Sequence, residues 1–71
     1  MKVFLRHKST GLYYSGWGNW SERSDAAFAF ESVELATERA AAEGLDAIEL
    51  VVKPDGDAPE YVVALPRRHP F

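Results

Sequence analysis

Over Lys2-Val3-Phe4-Leu5-Arg6-His7 apolar residues alternate imperfectly. With a period of two, Val3 and Leu5 share one face of a strand and Phe4 and Arg6 share the other. Lys8-Ser9-Thr10-Gly11 interrupts the run, and Leu12-Tyr13-Tyr14-Ser15 resumes in strand-favouring residues. This predicts a β-hairpin, with Gly11 supplying the positive φ of the turn. The stretch from Gly16 to Asp25 is dense in Gly, Asn and Ser, which predicts an irregular connection carrying both tryptophans, Trp17 and Trp20. Ala26-Ala27-Phe28-Ala29-Phe30 then sets both phenylalanines on one side of a short extended segment.

The period changes at Ser32. Val33, Ala36 and Ala40 fall at i, i+3 and i+7, the stripe of a helix facing a sheet, while Glu34, Glu38 and Glu43 point to water. Ser32 is placed to cap the first turn, Glu34 puts negative charge near the positive end of the helix dipole, and Gly44 stands where a left-handed residue closes a helix. A helix is therefore expected over Ser32 to Glu43. Its small alanines allow close approach to the sheet, with Leu35 or Leu45 filling the margins. Arg39 and Glu43 form its one favourable ion pair, worth roughly 0.3 kcal/mol.

After the helix the period returns to two. Ile48, Leu50 and Val52 share one face of a half-buried strand. Pro54-Asp55-Gly56-Asp57 is a turn, because proline presets φ and Asp-Gly favours a tight reversal. Glu60-Tyr61-Val62-Val63-Ala64-Leu65 returns as the second strand of a hairpin. The expected fold is α+β: an antiparallel sheet of four to five strands with a single helix on one face, in the order β-β-(β)-α-β-β. Residues 1–66 form one domain and residues 67–71 a flexible tail. Strand order stays open. One helix covers only part of such a sheet, so the other face must be polar, covered by the Trp loop, or buried in a partner.

Composition narrows the class. A 71-residue chain buries about 60% of the surface its unfolded form exposes, so modest stability is expected. The absence of cysteine removes disulfides and thiolate metal sites and fits a reducing compartment. The apolar part of Met1-Lys2-Val3-Phe4-Leu5-Arg6 is far too short for a signal peptide or a membrane span, so a soluble, cytoplasmic protein with no membrane association is expected. Asn19-Trp20-Ser21 matches an N-glycosylation pattern that has no use without export. The net charge of −3 is uneven: residues 1–23 carry four Lys/Arg against one acid, and residues 24–65 two against ten. A basic first hairpin beside an acidic second half neutralises both, and the acidic total argues against nonspecific nucleic-acid affinity.

Gly11-Leu12-Tyr13-Tyr14, Trp20, Phe30, Ser32, Ala36 and Ala40, followed by a Val/Ile-rich strand, resemble a pattern of small, uncharacterised single-domain bacterial and phage proteins. The likeness covers most of residues 1–53. It implies an antiparallel fold with one helix and brings no activity, cofactor or catalytic residue.

No residue set performs a chemical step, and a non-enzymatic protein without cofactor or metal is expected. Ser9, Thr10, Ser15, Ser21 and Ser24 have no identifiable base and orienting acid. His7 and His69 lack ligand spacing, Asp55-Gly56-Asp57 lacks the run of oxygen ligands of a calcium loop, and Gly16-Trp17-Gly18 is too short for a phosphate loop. Tyr13, Tyr14, Trp17 and Trp20 are the features that point outward, since Trp and Tyr dominate contact hot spots and stacking platforms. Their ordinary use is to complete a small core, each burying about 150–250 Å². Trp20 is assigned to packing, and Trp17, with glycine on both sides, is the contact residue of choice. The leading expectation is a protein-interaction module, self-associating as a homodimer or binding another protein through the uncovered sheet face and the Trp17 loop. The alternative is a small nucleic-acid binder using Lys2, Arg6, Lys8 and Arg23 for phosphates and Tyr13 or Trp17 for stacking.

Overall fold

The computed structural model describes residues 1–65. The expected tail 67–71, with His69, lies outside the described residues.

Five strands form one antiparallel sheet: β1 (Lys2–His7), β2 (Tyr13–Gly16), β3 (Asn19–Ser21), β4 (Ile48–Lys53) and β5 (Tyr61–Ala64). Their spatial order is β3-β2-β1-β4-β5. The first three strands meander, the chain crosses the sheet through helix α1 (Val33–Ala42), and β4 returns against the free side of β1. β1 and β4 pair over their full length, from Lys2 opposite Lys53 to His7 opposite Ile48. Among the described residues the fold is thus α+β with one α-helix, as the apolar pattern predicts.

The helix begins and ends where its cap residues stand. Ser32 Oγ accepts from the Leu35 backbone N–H at 3.2 Å, and Gly44, at φ +63°, donates its backbone N–H to the Ala41 carbonyl. Such caps satisfy amides and carbonyls that the helix itself leaves free. Ala36 and Ala40 are fully buried and press α1 onto β1 and β4. The core beneath comprises Val3, Leu5, Tyr14, Phe30, Ile48, Leu50 and Val52, with Trp20, Val33, Leu45 and Val63 packed around it. Leu45 fills the helix margin as expected, whereas Leu35 points outward and is 48% exposed.

Two expectations shift. The connection after Gly16 is not irregular throughout: residues 19–21 form β3, so the third strand precedes the segment expected to be extended. That segment forms no strand of its own: it makes the bridge Val3 to Phe30 and donates the Phe28 N–H to the Tyr14 carbonyl, with a 3-10 turn at Ser24–Ala26 before it. The second difference is on β4, expected to be half-buried. Val51 is 0% exposed and its neighbour Phe4 6%, although both face away from the helix. Side chains of the sheet itself close over them. The Lys53 ammonium lies 5.5 Å from the Phe4 ring centroid, Tyr13 meets Phe4 edge to face, and Val62 stands opposite Val51. Lysine stems covering apolar surface while the charge stays in water achieve this without a second layer.

Candidate functional site

The hairpin between β2 and β3 turns through Trp17 and Gly18, with Gly16 opposite Asn19. Both loop residues have positive φ, +54° for Trp17 and +80° for Gly18. A two-residue loop with this signature matches the right-handed twist of the flanking strands, and its first position ordinarily holds Asn, Asp or Gly. Trp17 is a bulky residue in left-handed backbone, a conformation that costs roughly 1–2 kcal/mol. It is also 87% exposed, so burial does not repay that cost.

The turn is anchored from inside. The Trp17 backbone N–H donates to the Tyr14 hydroxyl at 3.1 Å, and that hydroxyl donates in turn to a Glu43 carboxylate oxygen. Tyr14 is completely buried, its ring edge-on to Trp20 and stacked near Phe30. Glu43 stays an exposed residue, as the helical pattern predicts, while its carboxylate turns to the Tyr14 hydroxyl. It also pairs with Arg39 at 3.6 Å. The Arg39 guanidinium lies 5.9 Å from the Trp17 ring centroid and 5.8 Å from that of Phe28. Cation-π geometry of this kind orders both rings.

Beside this cluster runs a groove of about 400 Å³ between the 28–31 segment and α1. Phe28, Phe30, Leu35 and Ala42 supply its apolar lining, and Glu31, Glu38 and Arg39 its charge. Phe28 is 41% exposed. Trp17, Phe28 and Leu35 thus present three large apolar side chains on the flank of the helix. A second depression, about 430 Å³, lies across the helix between Lys8, Ala41, Asp46 and Leu65.

The chain matches no protein-family profile, no curated protein and no solved structure.

The residues singled out by sequence do not converge. Trp17 stands at the hairpin tip, whereas Trp20 packs on the core and meets His7 edge to face at 5.7 Å. Tyr13 lies on the helix-free face beneath the Arg6 guanidinium, 5.9 Å from ring centroid to charge. Arg6 is paired with Glu49 directly across β1 and β4, its Nε donating at 2.6 Å. That hydrogen bond raises the Arg6 pKa from its ordinary value, against the opposing effect of partial burial. Arg23 forms a two-point contact with Asp25, and Lys8 sits exposed at the far end of the first hairpin. His7 Nδ1 is met by the Ser9 hydroxyl at 2.9 Å. Among the described residues no three His, Asp or Glu side chains cluster to hold a metal, and no helix is long and apolar enough to cross a membrane.

Phe28 and Leu35 were not legible as surface residues, and the aromatic partners of Arg39 were not legible either. One signal existed: Leu35 falls off the Val33, Ala36, Ala40 stripe, and a leucine outside the buried stripe of its helix is a candidate contact. The turn was hidden because tryptophan replaces the asparagine that normally announces it.

Proposed function

We propose that the protein is a non-enzymatic interaction module that binds another protein chain through the surface of Trp17, Phe28 and Leu35. The observation that carries this reading is the exposed Trp17, held in unfavourable backbone by a hydrogen bond from its own turn to the buried Tyr14 hydroxyl. Strain maintained by the surrounding structure clusters at binding sites, and an exposed aromatic in a fixed pose loses little entropy on contact. The helix-free sheet face offers less. Phe4 and Val51 are already covered there, and among the described residues Val62 is its one large apolar residue left half-exposed. The nucleic-acid reading also loses support, because Arg6 and Arg23 are engaged with carboxylates.

The test is site-specific photo-crosslinking in cells that make the protein. A photoreactive phenylalanine analogue replaces Trp17 in one variant and Asp57, in the distant β4–β5 turn, in the other. Discrete protein adducts from position 17 that are absent from position 57 are expected. An adduct of twice the chain mass identifies a second copy as the partner, and other masses a different protein. Equal or absent adducts at the two positions overturn the proposal.

A further inference from the structure

Resting on that reading, we infer that the groove between the 28–31 segment and α1 takes a short peptide of a partner protein, in which bulky apolar residues are flanked by arginine or lysine. Charge complementarity carries the argument. Glu31 and Glu38 line the groove, and Glu34 lies one helical turn before Glu38 on the same side of the helix. Among the described residues, none of these three carboxylates holds an ion pair or a side-chain hydrogen bond. The one cation of the lining, Arg39, already faces Glu43 and two aromatic rings. The rim is therefore acidic on balance.

The floor selects the rest of the ligand. Phe28 and Leu35, 41% and 48% exposed, leave apolar surface in water that a bulky side chain would cover. From Leu35 to Ala42 the groove follows about 10 Å of helix, at about 1.5 Å per residue. That length accommodates two turns of a docked helix or a few extended residues, the scale at which apolar anchors enter a groove beside a helix. Trp17 stands beside Arg39 next to the groove, a hot-spot aromatic held in place for the ligand to meet. An acidic segment or a nucleic acid would meet Glu31, Glu34 and Glu38 as like charges, so the rim also excludes those ligands.

Amide NMR titration with two synthetic peptides, Ac-RRLFKRLLK-amide and Ac-EELFEELLE-amide, tests this. With the basic peptide, shifts confined to residues 28–31, 35–42 and the Trp17 indole are expected, weakening as salt rises. Glu31→Gln combined with Glu38→Gln should weaken binding about tenfold, the joint effect of the two carboxylates that line the groove. Leu35→Ala, at an exposed position that favours helix, should weaken it without unfolding the protein. Absence of shifts, equal binding of the acidic peptide, or shifts centred on the helix-free sheet face overturns the inference. Cross-linked adducts from position 17 that persist in that case leave the interaction module standing and remove only the peptide chemistry.

Discussion

Replacing Tyr14 with phenylalanine separates the anchor of the Trp17 turn from the core packing of the same residue. The ring remains and the buried contacts with Trp20 and Phe30 persist; only the hydroxyl goes. That hydroxyl donates to the Glu43 carboxylate and accepts from the Trp17 N–H. A hydrogen bond to a charged group contributes about 1.5–3 kcal/mol and a neutral one about 0.5–1.5 kcal/mol. The Glu43 side chain is 28% exposed, so water replaces part of what is lost and the lower ends apply. The expected destabilisation is about 2 kcal/mol, and at about 4–8 °C per kcal/mol for a domain of this size the melting temperature falls by ~8–16 °C. Urea denaturation of the wild type, Tyr14→Phe, Glu43→Gln and the double variant measures it. The cycle should return a coupling of about 1 kcal/mol between the two side chains, with the Trp17 amide resonance broadened or shifted in Tyr14→Phe. A loss below about 0.5 kcal/mol with an unchanged Trp17 amide would refute the claim that Tyr14 holds the turn.

The two tryptophans should separate by stability alone. Trp20→Ala is expected to cost about 2–4 kcal/mol, because it empties a site packed on the core. Trp17→Asn should stay within about 0.5 kcal/mol of wild type, as relief in the left-handed turn offsets the lost Arg39 contact. Denaturation curves of the two variants decide this, and a Trp17→Asn loss above 1.5 kcal/mol, marking a structural tryptophan, would contradict the assignment. Ser32→Ala should cost about 1 kcal/mol through loss of the cap to Leu35, read as a drop in denaturation midpoint with unchanged slope. Asp55 accepts a hydrogen bond from the N-terminal ammonium, which lowers its pKa from the ordinary 3.8. A depressed folded pKa means that the contact adds stability above the unfolded value and loses it as pH falls through the folded one. Carboxyl NMR titration should show Asp55 titrating below 3.8 and returning toward that value when the N-terminus is acetylated.

Local chemistry is what the sequence determined here. Ser32 and Gly44 bound the helix because capping needs only neighbours a few residues away, and the i, i+3, i+7 stripe of Val33, Ala36 and Ala40 names its buried face without knowledge of the sheet. Alternation likewise set Val3 with Leu5 on one face of β1 and Ile48, Leu50 and Val52 on one face of β4, and the pairing of the two strands joined both sets in one core. Tertiary structure decided whatever depended on contacts distant along the chain. β4 returned to β1 rather than extending the meander, which buried Val51 against Phe4 on the face without a helix. The Glu43 carboxylate gained a partner that the helical pattern does not name, because the Tyr14 hydroxyl, 29 residues earlier in sequence, reached it across the fold. The candidate surface belongs to this second kind. Trp17 comes from a hairpin tip, Phe28 from the segment after it, and Leu35 and Arg39 from the helix. Phe28 and Leu35 read from the sequence as packing residues and Arg39 as a helix charge paired with Glu43, and their meeting with Trp17 arises only when α1 packs beside the hairpin.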